Sequence, residues 1–175
     1  MKYSLALSWL PFSLALHIPR TDKPINECSA QSIIDLLKME PSDEKGFFTQ
    51  TFIDPETIPG TNRSVSTAIY YLLKGSEGDS LWHKLDAAEV WHYYAGAPLV
   101  LSVSWNNGSC GEERVMGSDL FAGERPQVVV RADEWQRARS LGDWTLVGTT
   151  VAPAFVPSGQ AFEAEGWEPE GCKSG

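Results

Sequence analysis

Beyond residue 28 the chain changes its hydrophobic rhythm once. Over 29–38, Ile33, Ile34, Leu36 and Leu37 recur at helical spacing behind Ser29, whose hydroxyl suits a helix N-cap, and the stretch stops at Met39-Glu40-Pro41. One short helix is predicted there. From Phe47 onward the pattern becomes short runs rich in Thr, Val, Ile, Tyr, Phe and Trp, punctuated by Gly, Pro, Asn and Asp. Strands are predicted over 46–52, 64–73, 80–85, 89–95, 99–105, 115–116, 127–130, 134–139 and 144–151. No helical crossover separates them, so the pattern specifies an all-β body, an antiparallel sandwich or barrel preceded by one α-helix.

The two ends read differently. In residues 1–20, Lys2 is followed by Tyr3, Leu5, Leu7, Trp9, Leu10, Phe12, Leu14, Leu16 and Ile18, with Pro11 interrupting the run. A spanning helix needs about 20 consecutive apolar residues, and this run is shorter. Two readings stand: a secretory signal peptide, or a hydrophobic arm that packs on the domain or on a partner subunit. The first implies secretion, which the sequons Asn62-Arg63-Ser64 and Asn107-Gly108-Ser109 fit, and the second a cytoplasmic protein. At the other end, Glu163, Glu165, Glu168 and Glu170 stand among Gly and Pro and read as a solvated tail. The predicted organisation is therefore a leader or arm with linker over 1–28, a folded domain over 29–157 and an acidic tail over 158–175.

Composition narrows the function classes. The 175 residues carry 14 Lys and Arg against 23 Asp and Glu, a net charge of -9. Binding to a phosphate backbone depends on clustered cations, so nucleic acid is not expected as a partner, and no membrane association is expected of the domain. With 42% hydrophobic residues and seven Trp the chain can bury a core, which excludes disorder as its dominant state. Cys28, Cys110 and Cys172 have no Cys-x-x-Cys spacing and allow at most one disulfide.

Three separated blocks carry a family signature: Arg63-Ser-Val-Ser-Thr-Ala-Ile-Tyr-Tyr-Leu-Leu73, Trp82-His-Lys-Leu-Asp-Ala-Ala-Glu-Val-Trp-His-Tyr-Tyr-Ala-Gly-Ala-Pro-Leu99, and Gly123-Glu-Arg-Pro-Gln-Val-Val-Val. Trp135-Gln136, Leu141-Gly-Asp-Trp-Thr-Leu-Val-Gly148 and Val151-Ala-Pro153 extend it. The chain resembles a cupin, and more narrowly cupin family five, small stand-alone jelly rolls related to the sugar-nucleotide epimerases. The resemblance implies a double-stranded β-helix barrel, a homodimer, and a small organic ligand held inside the barrel. It names no single activity, because cupins include epimerases, isomerases, dioxygenases, decarboxylases and binding modules.

The general cupin pattern sets two histidines one residue apart, then a glutamate and a glycine, with a third histidine in a later motif. Here that frame reads His83-x-Leu85, Glu89 and Gly96, and Gln136 stands at the third histidine. Residues i and i+2 of a strand share a face, so Leu85 removes one of two converging imidazoles. A neutral amide is a weak ligand for a transition metal, so no metal or other cofactor is expected. His92 lies three residues from Glu89 in a predicted strand, which places it on the opposite face.

What remains is proton transfer. His83 and Glu89 are the candidate catalytic residues: an unperturbed imidazole titrates near neutral pH, and a carboxylate inside a barrel is a potential base. Tyr71, Trp91, Tyr93, Gln127, Trp135 and Gln136 are candidates for a ligand-binding wall, and Arg63, with Arg125, for clamping an anion. Asp86 reads as a turn residue rather than a partner for His83. The segment before the first barrel strand, Glu40-Pro41-Ser-Asp-Glu44-Lys-Gly46-Phe47-Phe48, departs from the family's His-Pro-x-Glu-Gly-Gly-Tyr/Phe-Phe by losing the histidine and one glycine. The first expectation is a metal-independent isomerase or epimerase of a biosynthetic, specialised-metabolite type. The alternatives are a non-catalytic carbohydrate- or metabolite-binding cupin, and a degenerate metal cupin using His83, Glu89 and Gln136.

Overall fold

The predicted helix forms over Ala30–Leu37 in a computed structural model that describes residues 23–171. The apolar stretch over 1–20 and Cys172 lie outside the described residues. Ser29 caps this helix, α1, accepting from the Ser32 amide at 3.2 Å, and Lys38 ends it in a left-handed conformation. Its apolar stripe buries Ile33 and Ile34 against Leu72, Ala95, Trp144 and Leu146. Two buried aliphatic side chains stabilise this docking by about 1.5–3 kcal/mol each.

The strands are β1 (Glu40–Pro41), β2 (Phe47–Ile53), β3 (Thr67–Lys74), β4 (His83–Leu85), β5 (Ala88–Gly96), β6 (Leu99–Ser104), β7 (Glu112–Met116), β8 (Gln127–Val130), β9 (Trp135–Ser140), β10 (Trp144–Ala152) and β11 (Gln160–Phe162). They form a six-stranded sheet in the order β1-β2-β3-β10-β5-β8 and a five-stranded sheet in the order β11-β4-β9-β6-β7. Every pairing within these sheets is antiparallel.

Period-two alternation sorts the side chains. Tyr71 and Leu73 on β3, Trp91 on β5 and Val147 on β10 face inward and meet Leu99, Leu101 and Val103 of β6 in the core between the sheets. Leu72 and Leu146 face outward, under α1. A bulge in the β5–β10 pairing sets Val147 opposite Tyr93 but Leu146 opposite Ala95. The extra residue, Tyr94, reverses the facing of the strand end, so that Ala95 is turned to the helix.

The segment expected as a solvated tail is attached instead. Its β11 extends the five-stranded sheet, with Phe162 opposite His83. Beyond it, the Trp167 ring lies 6.0 Å from Trp82 and 5.1 Å from Trp135. Its acidic residues find cations on the barrel: Glu168 meets Arg137 at 2.6 Å and Glu165 meets Lys45 at 3.1 Å. An acidic run flanking a tryptophan is a docking segment where the surface offers those partners, and composition alone does not reveal them. Among the described residues no helix is long and apolar enough to cross a membrane.

Candidate functional site

One end of the barrel opens into a cavity of about 430 Å³. Alternation aims His83 and Leu85 from β4, Glu89 from β5, and Thr149 and Val151 from β10 at it, and β2, β3 and β11 add further lining residues. Phe48, Phe155 and Phe162 add apolar wall. A further carboxylate, Glu44, is supplied not by a strand but by the turn between β1 and β2.

That turn is tightly fixed. The Ser42 amide donates to the Gly46 carbonyl at 3.0 Å, and the Lys45 amide to the Ser42 carbonyl at 3.1 Å. Gly46 sits at φ +72°, and a Cβ there would lie 2.7 Å from the Leu72 carbonyl oxygen and 2.9 Å from the Tyr71 hydroxyl, so only glycine fits. The Tyr71 hydroxyl donates to the Lys45 carbonyl at 2.9 Å. One residue then joins the turn to the histidine: the Leu81 amide donates to the Glu44 carbonyl at 3.1 Å, and the Leu81 carbonyl lies 3.0 Å from His83 Nδ1. A carbonyl only accepts, so Nδ1 carries a proton and Nε2 is turned to Glu44.

His83 Nε2 stands 3.0 Å from Glu44 Oε2. The approach is an ion-pair contact off the line of a good hydrogen bond, and no donor is aligned on the buried Oε2. Burial alone would depress the imidazole, but the Glu44 carboxylate, with help from Glu89 and the Leu81 carbonyl, outweighs it and holds His83 at about 9. His83 is therefore a cation at neutral pH, not the near-neutral titrating base its composition suggested.

Glu89 is anchored differently. Its Oε2 accepts from Gln136 Nε2 at 2.6 Å and from Trp91 Nε1 at 3.2 Å, and Thr149 shares the cavity lining with it. Burial raises this carboxyl above the usual carboxylate range, and the His83 charge opposes that rise. Trp91 Nε1 in turn donates to Gln136 Oε1 at 3.0 Å. An indole N–H only donates, so the Gln136 oxygen must face Trp91 and its NH₂ must face Glu89.

The candidate residues thus separate by position. His83, Glu89 and Gln136 come together, with His83 opposite Gln136 in the β4–β9 pairing. Trp91 and Gln136 lie beneath the cavity as supports for Glu89, and Tyr71 supports the Glu44 turn from the core. Tyr93 is spent on the Gly96 carbonyl at 2.6 Å. Gln127 is exposed on the outer face, 3.4 Å from His92. Trp135 also faces outward, against Trp167 and with the Lys84 ammonium 5.2 Å above its ring. Arg63 lies outside the cavity lining: its guanidinium binds Asp86 through two bonds of 2.9 and 2.7 Å, and the Ala154 carbonyl at 2.6 Å. Arg125 is exposed and donates to the Glu124 carbonyl beside it.

A family described as the Cupin superfamily (DUF985) matches residues 31–163. The chain belongs to this cupin family. A crystal structure of a Shewanella oneidensis protein superposes with a TM-score of 0.72 at 30% identity, covering 78% of this chain and 85% of that one. A hypothetical protein from Leishmania major gives 0.70 at 23% identity, over 77% and 86%. The capsular polysaccharide assembling protein CapF of Staphylococcus aureus gives 0.54 at 16% identity, over 71% of this chain and 33% of its own, which speaks to the shared fold alone. No curated protein matches the chain.

Many cupins hold a metal on the histidines and glutamate of this motif, and the donor set here does not fit one. Leu85 occupies the second histidine position. Gln136 presents its NH₂, a donor carrying partial positive charge, toward Glu89, while its oxygen is committed to Trp91. Among the described residues no three His, Cys, Asp or Glu side chains converge as a metal site. This cupin fills the metal position with an internal hydrogen-bond network.

Glu44 is the cavity carboxylate that spacing does not expose. It is far from His83 in sequence, and only its place in the Pro-x-x-Glu-x-Gly-Phe-Phe segment marks it. Thr149 is similarly inconspicuous, one of several threonines on a strand.

Proposed function

We propose that this cupin binds a small organic carbonyl compound in its barrel and isomerises or epimerises it by proton transfer, without a metal. The observation that carries the reading is the His83–Glu44 pair, an imidazolium and a carboxylate held 3.0 Å apart at a mainly apolar cavity. In low dielectric such a pair is an acid and a base already in position. Glu44 takes the proton from the carbon next to the carbonyl while His83 Nε2–H passes its proton to the carbonyl oxygen. The broken C–H bond supplies the electrons of the enol C=C bond. Return of the Glu44 proton to the same carbon, with the enol O–H proton going back to His83, gives exchange or an epimer; where that carbon bears a hydroxyl, protonation of the former carbonyl carbon, with the hydroxyl's proton going to His83, gives the isomer. Either restores imidazolium and carboxylate. Glu89, whose Oε2 is held by Gln136 and Trp91, supports the His83 charge from beside the reacting pair.

The test is hydrogen exchange. A panel of small ketones, aldehydes and keto-sugars is incubated with the protein in D₂O and followed by NMR for deuterium next to the carbonyl. The compound that binds is expected to exchange, with Glu44→Gln and His83→Gln each slowing exchange at least about 100-fold. A compound that binds the cavity with no exchange above the variants would mark a binding module. Stoichiometric iron, zinc or manganese in the purified protein would also overturn the reading.

A further inference from the structure

The cavity's charge carries an inference about what it admits. The acidic side chains on its lining are Asp43, Glu44 and Glu89, and the basic one is His83. No Lys or Arg lines it among the described residues. The nearby cations are turned away by the fold: Lys45, next to Glu44, reaches out to Glu165 at 3.1 Å, and Lys84, next to His83, alternates to the outer face over Trp135. Arg63 is held by Asp86 and by backbone carbonyls. The one basic group, His83, is already faced by Glu44, while Asp43 is exposed at the mouth and Glu44 Oε2 has no aligned donor. A phosphate or carboxylate entering would meet carboxylates and no free cation. An ammonium group would find an acceptor at Glu44 and aromatic and aliphatic wall for its body in Phe48, Ile69, Leu85 and Phe155.

We propose that the cavity selects by charge, admitting an organic ammonium ion with an apolar body and refusing ligands that bear phosphate or carboxylate. This rests on the reading that the cavity is the ligand site, but not on the chemistry performed there. It sets this cavity apart from one that takes a nucleotide sugar, whose diphosphate needs guanidinium or ammonium partners.

Calorimetric titration of the whole protein with three probes of one shape tests it: 2-phenylethylamine, 2-phenylethanol and phenylacetate, with uridine diphosphate glucose as the nucleotide-sugar probe. The amine is expected to bind at least about tenfold more tightly than the carboxylate, with the alcohol between them. Glu44→Gln removes the acceptor, an effect that the lowered His83 charge partly offsets, and should weaken the amine about threefold while moving the alcohol by less than about twofold. Asp43→Asn, at an exposed position that does not threaten folding, should weaken the amine about twofold to threefold and steady the carboxylate. Phenylacetate or the nucleotide sugar binding as tightly as the amine would overturn the proposal. So would an amine preference unmoved by both variants, or no binding by any probe. The experiment reads affinity alone: charge selection without hydrogen exchange would retire the proton-transfer reading and leave this one standing, and exchange on an anionic compound would do the reverse.

Discussion

Burial pulls the His83 imidazole down, and the Glu44 carboxylate is the main group that overrides it and keeps the ring a cation. The role of His83 as acid or base therefore turns on a residue from another part of the chain. The motif frame makes His83 and Glu89 legible, because alternation on two consecutive strands, one in each sheet, brings them to one cavity. It leaves Glu44 obscure, because a turn's exact approach to a ring depends on tertiary packing. Tyr71 shows the same limit. As an aromatic in a signature block it reads as ligand wall, yet it is fully buried and its hydroxyl holds the Glu44 turn. Tyr71→Phe is expected to lower unfolding stability in urea by about 1–2 kcal/mol, through the Lys45 carbonyl left without its donor. Stability equal to the wild type would show that the hydroxyl does not support the turn.

At the level of elements, strand positions were far more legible than their partners. The run 127–130 is β8 as predicted, and β10 differs from its predicted span by one residue. The strand β11 escaped because Gln160–Phe162 is short and set among Gly, Pro and Glu, and only its pairing with β4 makes it a strand. The pairing of β4 with β9 also makes the loss of the metal position testable by reversal. Leu85 shares the inward face of β4 with His83, and Gln136 lies opposite His83. The double variant Leu85→His/Gln136→His would offer three imidazoles and Glu89 to one point, and is expected to bind one zinc per chain where the wild type binds none. Elemental analysis after zinc loading and gel filtration reads this, and a wild type that retains zinc would contradict the account of the site.

Across the whole molecule, the net charge of -9 is less diffuse than composition suggests. Part of it lies in the attached C-terminal segment against Arg137 and Lys45, and part lines the cavity. The cavity carboxylates make stability depend on pH. His83 is raised from an unfolded value of 6.5 to about 9, so the folded state binds the extra proton between them. Its contribution, of order 3 kcal/mol, is complete below pH 6.5 and is lost as pH rises through about 9. Glu89, also raised, pushes in the same direction: the folded state keeps its proton to higher pH than the unfolded chain, so stability falls as pH climbs through its folded value. The central claim is that His83 is a buried imidazolium held by Glu44, and NMR titration of the His83 ring reads it directly. The wild-type ring is expected to titrate with a midpoint near 9 and Glu44→Gln to bring it down. A wild-type midpoint at or below the ordinary histidine value of about 6.5 would contradict it.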